Sequence, residues 1–286
     1  LRVFLTLVEA EVQARGTPYA MSDGVVELVR DGGESESLGL ENLAQVCAAL
    51  PANEWPGAVT RHFDLVFERA EEEAELEATL ADFDRVRARL RVRLYGESLF
   101  EEQVVRTVAD GLVAALVFDL PSSMRSVHRR EALAWGRSDD ELFATALENL
   151  DHEEPPDRAE IAGPEAISLG VVDGPSYYTA SHALRLAESA VPDAHPYGAL
   201  VAIPARHVFF FHVIEDERVV EAVRSLATLA REAFRVGPGS ISERVFWLRG
   251  GVWAHLPCSI EGGTLHMKPS ATFMRDVLER VVAPKS

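Results

Sequence analysis

The side chains in this chain best suited to chemistry are histidines, arginines and carboxylates of its second half. Asp119 follows a continuous apolar run and precedes Leu120-Pro121-Ser122-Ser123, so it stands where a strand ends and a turn begins. A carboxylate there either projects into a cleft or accepts hydrogen bonds from the N–H groups of its own turn. In the cleft reading, Arg125 and His128 on the returning segment are its natural partners around a polar or anionic ligand, through charge-assisted hydrogen bonds. A second set, Tyr177, Tyr178, His195, Tyr197 and Arg206, falls in loops between strands and helices. Aromatic and arginine side chains together serve as anchors at partner surfaces, and equally as ordinary loop packing. With His182 added, the candidate ligand-binding residues are Asp119, Arg125, His128, His182, His195, Tyr197 and Arg206.

Other chemistries find less support. Ser181 and His182 are adjacent, but neighbours on a helix point about 100° apart, so the hydroxyl does not face its base. A helix N-cap accounts for Ser181 without catalysis. His182, His195 and His207 with Asp193 have the donor types of a zinc site. His207 and His212 differ by an odd number, so on one regular strand they face opposite sides. These histidines read as separate caps and loop anchors; no metal and no cofactor is assigned. The chain has no phosphate-binding glycine loop, no dinucleotide fingerprint, no His-Glu-x-x-His and no Cys-x-x-Cys. Gly237-Pro238-Gly239-Ser240 approaches a nucleophile elbow but lacks its second glycine and a clear strand before it. These absences count against the common hydrolases, kinases and dehydrogenases, and no catalytic residue is assigned.

Charge narrows the partners. Lys+Arg is 28 and Asp+Glu is 46, a net charge of −18. Such a surface repels phosphate backbones and anionic lipid, so neither nucleic acid nor membrane is an expected partner. Arg85, Arg87, Arg89, Arg91 and Arg93 follow Glu71, Glu72, Glu73, Glu75 and Glu77. They read as a solvated helix with intrahelical ion pairs. Lys268 and Lys285 are the only lysines, which reads as codon bias in a GC-rich bacterial genome. Cys47 and Cys258 offer no metal spacing and no disulfide framework. Apolar runs stay shorter than the ~18 residues of a membrane span, and no secretory signal precedes the first helix. A reduced cytoplasm is the expected compartment.

The elements that must position these residues are legible from periodicity. Leu1, Phe4, Leu5, Val8 and Val12 make one helical stripe, ended by Gly16. Residues 19–21 and 25–29 flank Ser22-Asp23-Gly24 as a hairpin, closed by Asp31-Gly32-Gly33. A second helix carries Leu40, Leu43, Val46, Cys47 and Leu50 up to Pro51. Residues 60–94 read as helical. The expected organisation is an N-terminal helix-hairpin-helix unit at 1–70, an acidic helical connector at 71–95 and a C-terminal domain at 96–286.

In that domain, 111–118 is a strand apolar on both faces and 124–128 its partner. Residues 129–135 form a short helix with Gly136 behind it, and Ser138-Asp139-Asp140-Glu141 is a capping box for the next. Residues 151–163, acidic and containing Pro155-Pro156, read as a linker or surface loop. Residues 167–172 and Tyr177-Tyr178 read as a hairpin, and Ser181 caps a helix. Residues 198–205 and 207–214 are strands, 215–234 a helix, 245–248 and 252–256 a hairpin, and Pro269-Ser270 starts a last helix. Hairpins imply antiparallel pairing. The fold class is therefore α+β, with antiparallel sheets built from successive hairpin-plus-helix units and a smaller N-terminal unit. Strands this apolar need cover on both faces, from the N-terminal helices, another sheet or another subunit.

The stretch 111–150 carries Gly111-Leu112-Val113, Phe118-Asp119-Leu120-Pro121-Ser122-Ser123, Trp135-Gly136 and Glu141-Leu142-Phe143 with Ala146-Leu147-Glu148-Asn149-Leu150. Ser181-His182-Ala183-Leu184, residues 199–206 and Ser240-Ile241-Ser242 continue the pattern. Over roughly residues 95–250 the chain resembles an uncharacterised bacterial family that includes the YtpQ-like proteins. The resemblance implies a bacterial cytoplasmic protein and supplies no activity or site residue. The expected function is a non-catalytic protein-interaction or regulatory module that binds a protein partner or itself. The alternative is an enzyme, such as a hydrolase, or a small-molecule sensor, with a cleft around Asp119, His182, His195 and Arg206.

Overall fold

Phe4, Val8 and Val12 lie on one face of Arg2–Ala14 and are buried, which makes this segment a helix, α1. The computed structural model describes residues 2–22, 24–29, 35–96, 102–186, 195–236 and 239–281. Its class is α+β with antiparallel sheets. The chain divides into one unit of Leu1–Ala78 with Leu120–Ser123, and another of Thr79–Asp119 with Met124–Ser286.

In the first unit, β1 (Tyr19–Ser22) and β2 (Val25–Val29) form the expected hairpin. A third strand, β3 (Ser35–Gly39), pairs with β2 and was not legible in Ser-Glu-Ser-Leu-Gly. The expected closing turn, Asp31-Gly32-Gly33, lies outside the described residues. Helices α2 (Glu41–Ala48) and α3 (Trp55–Thr79) follow. Val26 and Leu28 of β2 pack with Phe4 and Val8 of α1, Leu43 and Cys47 of α2 and Phe63 of α3.

The second unit opens with a helical turn, α4 (Phe83–Val86), and then β4 (Leu90–Tyr95). The expectation of helix as far as residue 94 fails here. Leu90, Val92 and Leu94 alternate with Arg91 and Arg93, and a period of two is a strand. Strands β5 (Val105–Ala109), β6 (Leu112–Asp119) and β7 (Met124–Ser126) complete a four-stranded antiparallel sheet in which β6 lies between β4 and β5. Helix α5 (Arg129–Trp135) ends on Gly136, whose φ of 61° is left-handed. Ser138 caps α6 (Asp139–Glu148) as expected: its Oγ accepts from the Glu141 N–H at 3.3 Å, and Glu141 Oε2 accepts from the Ser138 N–H at 2.9 Å.

A six-stranded antiparallel sheet follows. Its strands are β8 (Asp157–Ala162), β9 (Ser168–Asp173), β10 (Ala199–Ala205), β11 (Val208–Val213), β12 (Val245–Arg249) and β13 (Val252–His255), ordered β13-β12-β10-β11-β9-β8. Two expectations are corrected. Residues 157–162 are a strand, not a linker or surface loop; all six residues are exposed, so no apolar alternation marks them. Tyr177 and Tyr178 are not the partner strand of β9, which pairs with β8 and β11 instead. They lead into a 3-10 segment, Thr179–Arg185, in which Ser181 is internal and buried instead of capping a helix. Helix α7 (Val219–Val236) lies between β11 and β12 in the chain. A last hairpin, β14 (Cys258–Glu261) with β15 (Thr264–Met267), was also unexpected; a helical segment over 271–281 follows.

β10 is buried along its whole length. Leu200 and Ala202 face a core that also holds Val223, Leu226 and Ala230 of α7, Trp247 of β12 and Phe273. Val201 and Ile203 are equally buried but lie outside that core, on the opposite face. There the 3-10 segment packs against β4, β9, β10 and β11. The expected two-sided burial therefore holds, and its cover comes from the same unit.

Candidate functional site

β4 and β6 pair with Leu90 opposite Phe118, so Arg91, Arg93 and Asp119 share one face of the four-stranded sheet. Over that face runs the 3-10 segment, entered through Ser176, Tyr177 and Tyr178. The Tyr178 hydroxyl donates to Asp119 Oδ1 at 2.7 Å. The Tyr178 N–H donates to Ser176 Oγ at 3.1 Å, and Ser176 Oγ donates to Glu153 Oε2 at 3.3 Å. Arg91 Nε donates to Glu153 Oε1 at 2.7 Å, and its Nη1 donates to the carbonyls of Ala88 and Leu90. Asp119, Tyr178, Ser176, Glu153 and Arg91 thus form one chain of hydrogen bonds.

Burial sets the electrostatics of this chain. It pushes the Asp119 carboxyl above the usual carboxylate range, opposed by the Tyr178 hydrogen bond and by Arg91. Burial and the Asp119 carboxylate together hold the Tyr178 phenol well above its ordinary value, so it is a fixed donor.

Glu153 also lines a cavity of about 440 Å³, with Leu150, Asp151, Pro155, Pro156, Arg158, His182 and Arg185. Arg185 is tied to Asp151 by a short ion pair. Burial lowers the pKa of His182, and the positive charges of Arg158 and Arg185 lower it further, against Asp151 and Glu153. Among the described residues neither the His182 ring nor the Arg158 guanidinium makes a hydrogen bond. The cavity therefore holds the Asp151–Arg185 pair and a Glu153 already engaged by Arg91 behind it, plus one imidazole and one guanidinium with unused donors.

The seven expected site residues separate. Asp119 belongs to the hydrogen-bonded chain and His182 to the cavity that shares Glu153 with it. Arg206 stays near this face: its guanidinium lies 4.1 Å from the ring centroid of Tyr177, and its N–H donates to the Gly239 carbonyl. Arg125 and His128 do not join Asp119. Arg125 is opposite Phe118 in the β6–β7 register, on the other face, and donates to Glu131 Oε1 at 2.7 Å. Glu131 Oε2 accepts from the His128 N–H at 2.9 Å, so this pair anchors the start of α5. Tyr197 packs against the core beneath α7, and its carbonyl accepts from Trp247 Nε1. The His195 carbonyl accepts from the Gly198 N–H. Neither residue joins the cavity.

Sequence reading missed Arg91, Glu153, Arg158 and Arg185. The alternation around Arg91 was the available signal; Glu153 and Arg158 lay in what looked like a linker. It also missed a cavity of about 490 Å³ lined by Arg231, Arg244, His255 and Cys258 among others. There Asp110 Oδ2 lies 3.0 Å from Arg244 Nη1 and 3.2 Å from His255 Nδ1. Burial pushes the Cys258 thiol up to about 11, which keeps it neutral and weakly nucleophilic at neutral pH. Among the described residues no three His, Cys, Asp or Glu side chains gather as metal ligands. No described helix is long and apolar enough to cross a membrane.

No family model matches this chain, and neither does any curated protein or solved structure with which it was compared.

Proposed function

We propose that this protein is a non-catalytic regulatory module whose second unit binds a small anion in the cavity formed by Glu153, Arg158, His182 and Arg185. The observation that carries this reading is His182: a half-buried imidazole beside two guanidinium groups, with no hydrogen bond among the described residues. Such a ring is unfavourable to protonate when the cavity is empty, and an anion reverses that balance. The carboxylates of the cavity do not compete, because Glu153 is held by Arg91 and Asp151 by Arg185. The sensor reading is preferred over the enzyme reading because the adjacent Asp119–Tyr178 pair is bonded to itself. The same proposal takes in a bacterial, cytoplasmic protein of the YtpQ-like kind that binds protein partners and avoids nucleic acid. Its net charge of −18 supports the avoidance of nucleic acid and its two free thiols a reducing compartment, while the family part rests on the resemblance over residues 95–250 alone.

Inorganic phosphate is the probe. Titration at about pH 6.5 followed by the ring NMR signals of His182 reports occupancy. The expected result is a saturable shift with the His182 pKa raised, weakened about tenfold or more in Arg158→Ala. An unmoved His182 resonance at about 10 mM phosphate rejects the reading.

A further inference from the structure

β8 is an edge strand. Among the described residues it pairs only with β9, and all six of its residues are exposed. An open edge presents a row of unpaired N–H and C=O groups, a template for another strand. Which groups those are follows from the register. The Gly163 N–H donates to the Ile167 carbonyl, in line with the Asp157↔Asp173 and Ile161↔Leu169 pairing. Odd-numbered residues of β8 therefore turn their backbone groups toward β9, and Arg158, Glu160 and Ala162 turn theirs outward.

We propose that β8 pairs antiparallel with β8 of a second copy of this chain, across a two-fold axis through Ala159. The choice of occupant rests on charge. Two residues exchange hydrogen bonds across such an interface only when both have outward backbone groups, so even-numbered residues must face even-numbered ones. A register centred on Arg158 sets Arg158 against itself. One centred on Glu160 sets Glu160 against itself. Centred on Ala159, Arg158 of each copy faces Glu160 of the other, twice, and no like charges meet. On the second face Ala159 meets Ala159, and Asp157 meets Ile161, a partly apolar side chain that is 37% exposed. Charged residues usually protect an edge from self-pairing. Here their signs and spacing favour one self-pairing register over its neighbours. Pro155-Pro156 limits its length, because Pro156 has no N–H to extend the ladder. Glu160 Oε2 accepts from Ser168 Oγ at 2.8 Å, which leaves Oε1 for one edge of the Arg158 guanidinium of the second copy, the remaining donors of that group staying with the cavity.

A six-residue edge buries little area, so the association is weak. Sedimentation equilibrium of the full chain from about 10 µM to about 1 mM covers the relevant range. The expected result is a concentration-dependent monomer–dimer equilibrium. Glu160→Arg places arginine against arginine and is expected to raise the dimer dissociation constant about tenfold. The double variant Arg158→Glu with Glu160→Arg restores the charge pattern and the dimer. Glu160→Pro removes an outward N–H while leaving the β9 ladder bonded; it is expected to abolish the dimer with an unchanged circular dichroism spectrum. A monomer throughout the range overturns the proposal and leaves the edge to some other chain. A dimer indifferent to Glu160→Arg, or one that the charge swap fails to restore, overturns it equally.

Discussion

Asp119 and Tyr178 show why a chemically suggestive residue needs its surroundings before it has a role. The strand-end position of Asp119 was visible in the sequence. Its partner was not a residue of the local turn but a phenol from a distant segment, itself only 2% exposed. Removing that hydroxyl leaves a half-buried carboxyl without its donor. Tyr178→Phe is expected to lower stability by about 1–3 kcal/mol, measured by urea unfolding. The pH dependence has a definite sign. Burial raises the folded-state pKa of Asp119, so ionising it costs stability as pH climbs from the ordinary carboxylate value through the raised one. Below both values there is no such cost. The Tyr178 bond opposes the rise, and its loss extends it. The deficit of Tyr178→Phe is therefore expected to be larger at about pH 7 than at about pH 4; an equal deficit at both would refute this account.

Elements were legible where one face is apolar and the other is not, and where turn chemistry is local. The α1 stripe, the Ser138–Glu141 capping box, Gly136 behind α5 and the β12–β13 hairpin all belong to this class. β8 escaped because it has no buried face to pattern its residues, and β4 because its short alternation follows directly on the arginine-rich helical stretch and reads as its continuation. Glycines at element ends separate conformational need from crowding. Gly198 has φ of +73°, and a Cβ there would come within 2.1 Å of the Leu248 carbonyl, against which β10 pairs with β12. Gly250, in the β12–β13 turn, has φ of +53° and nothing within 4 Å of an added Cβ. Gly250→Ala is expected to cost about 1 kcal/mol of left-handed strain. Gly198→Ala adds a backbone collision and is expected to cost at least about 2 kcal/mol more, seen as a markedly lower melting temperature. Equal costs would mean that β10 and β12 separate freely.

For the molecule as a whole, the two units carry cores with no residue in common, one around Phe63 and one around Leu226. Leu226→Ala opens a cavity beneath α7 and is expected to cost about 2–5 kcal/mol. Hydrogen exchange is the readout: β10 amides lose protection while those of α1 keep theirs. Loss of protection in both would show that the units unfold as one.

Local physics governs what was readable from residue order alone. Side-chain period, capping residues and glycine turns act within a few positions, so the α+β class, the β1–β2 and β12–β13 hairpins and the two-sided burial of β10 follow from nearby residues. Non-local pairing had to come from the folded chain. It set β10 between β11 and β12, and it brought Tyr178 to Asp119 and Glu153 to Arg91. It left Arg125 on the wrong face and β8 at an open edge. These outcomes depend on contacts between segments tens of residues apart, and no short-range pattern encodes which distant strand a given strand will meet.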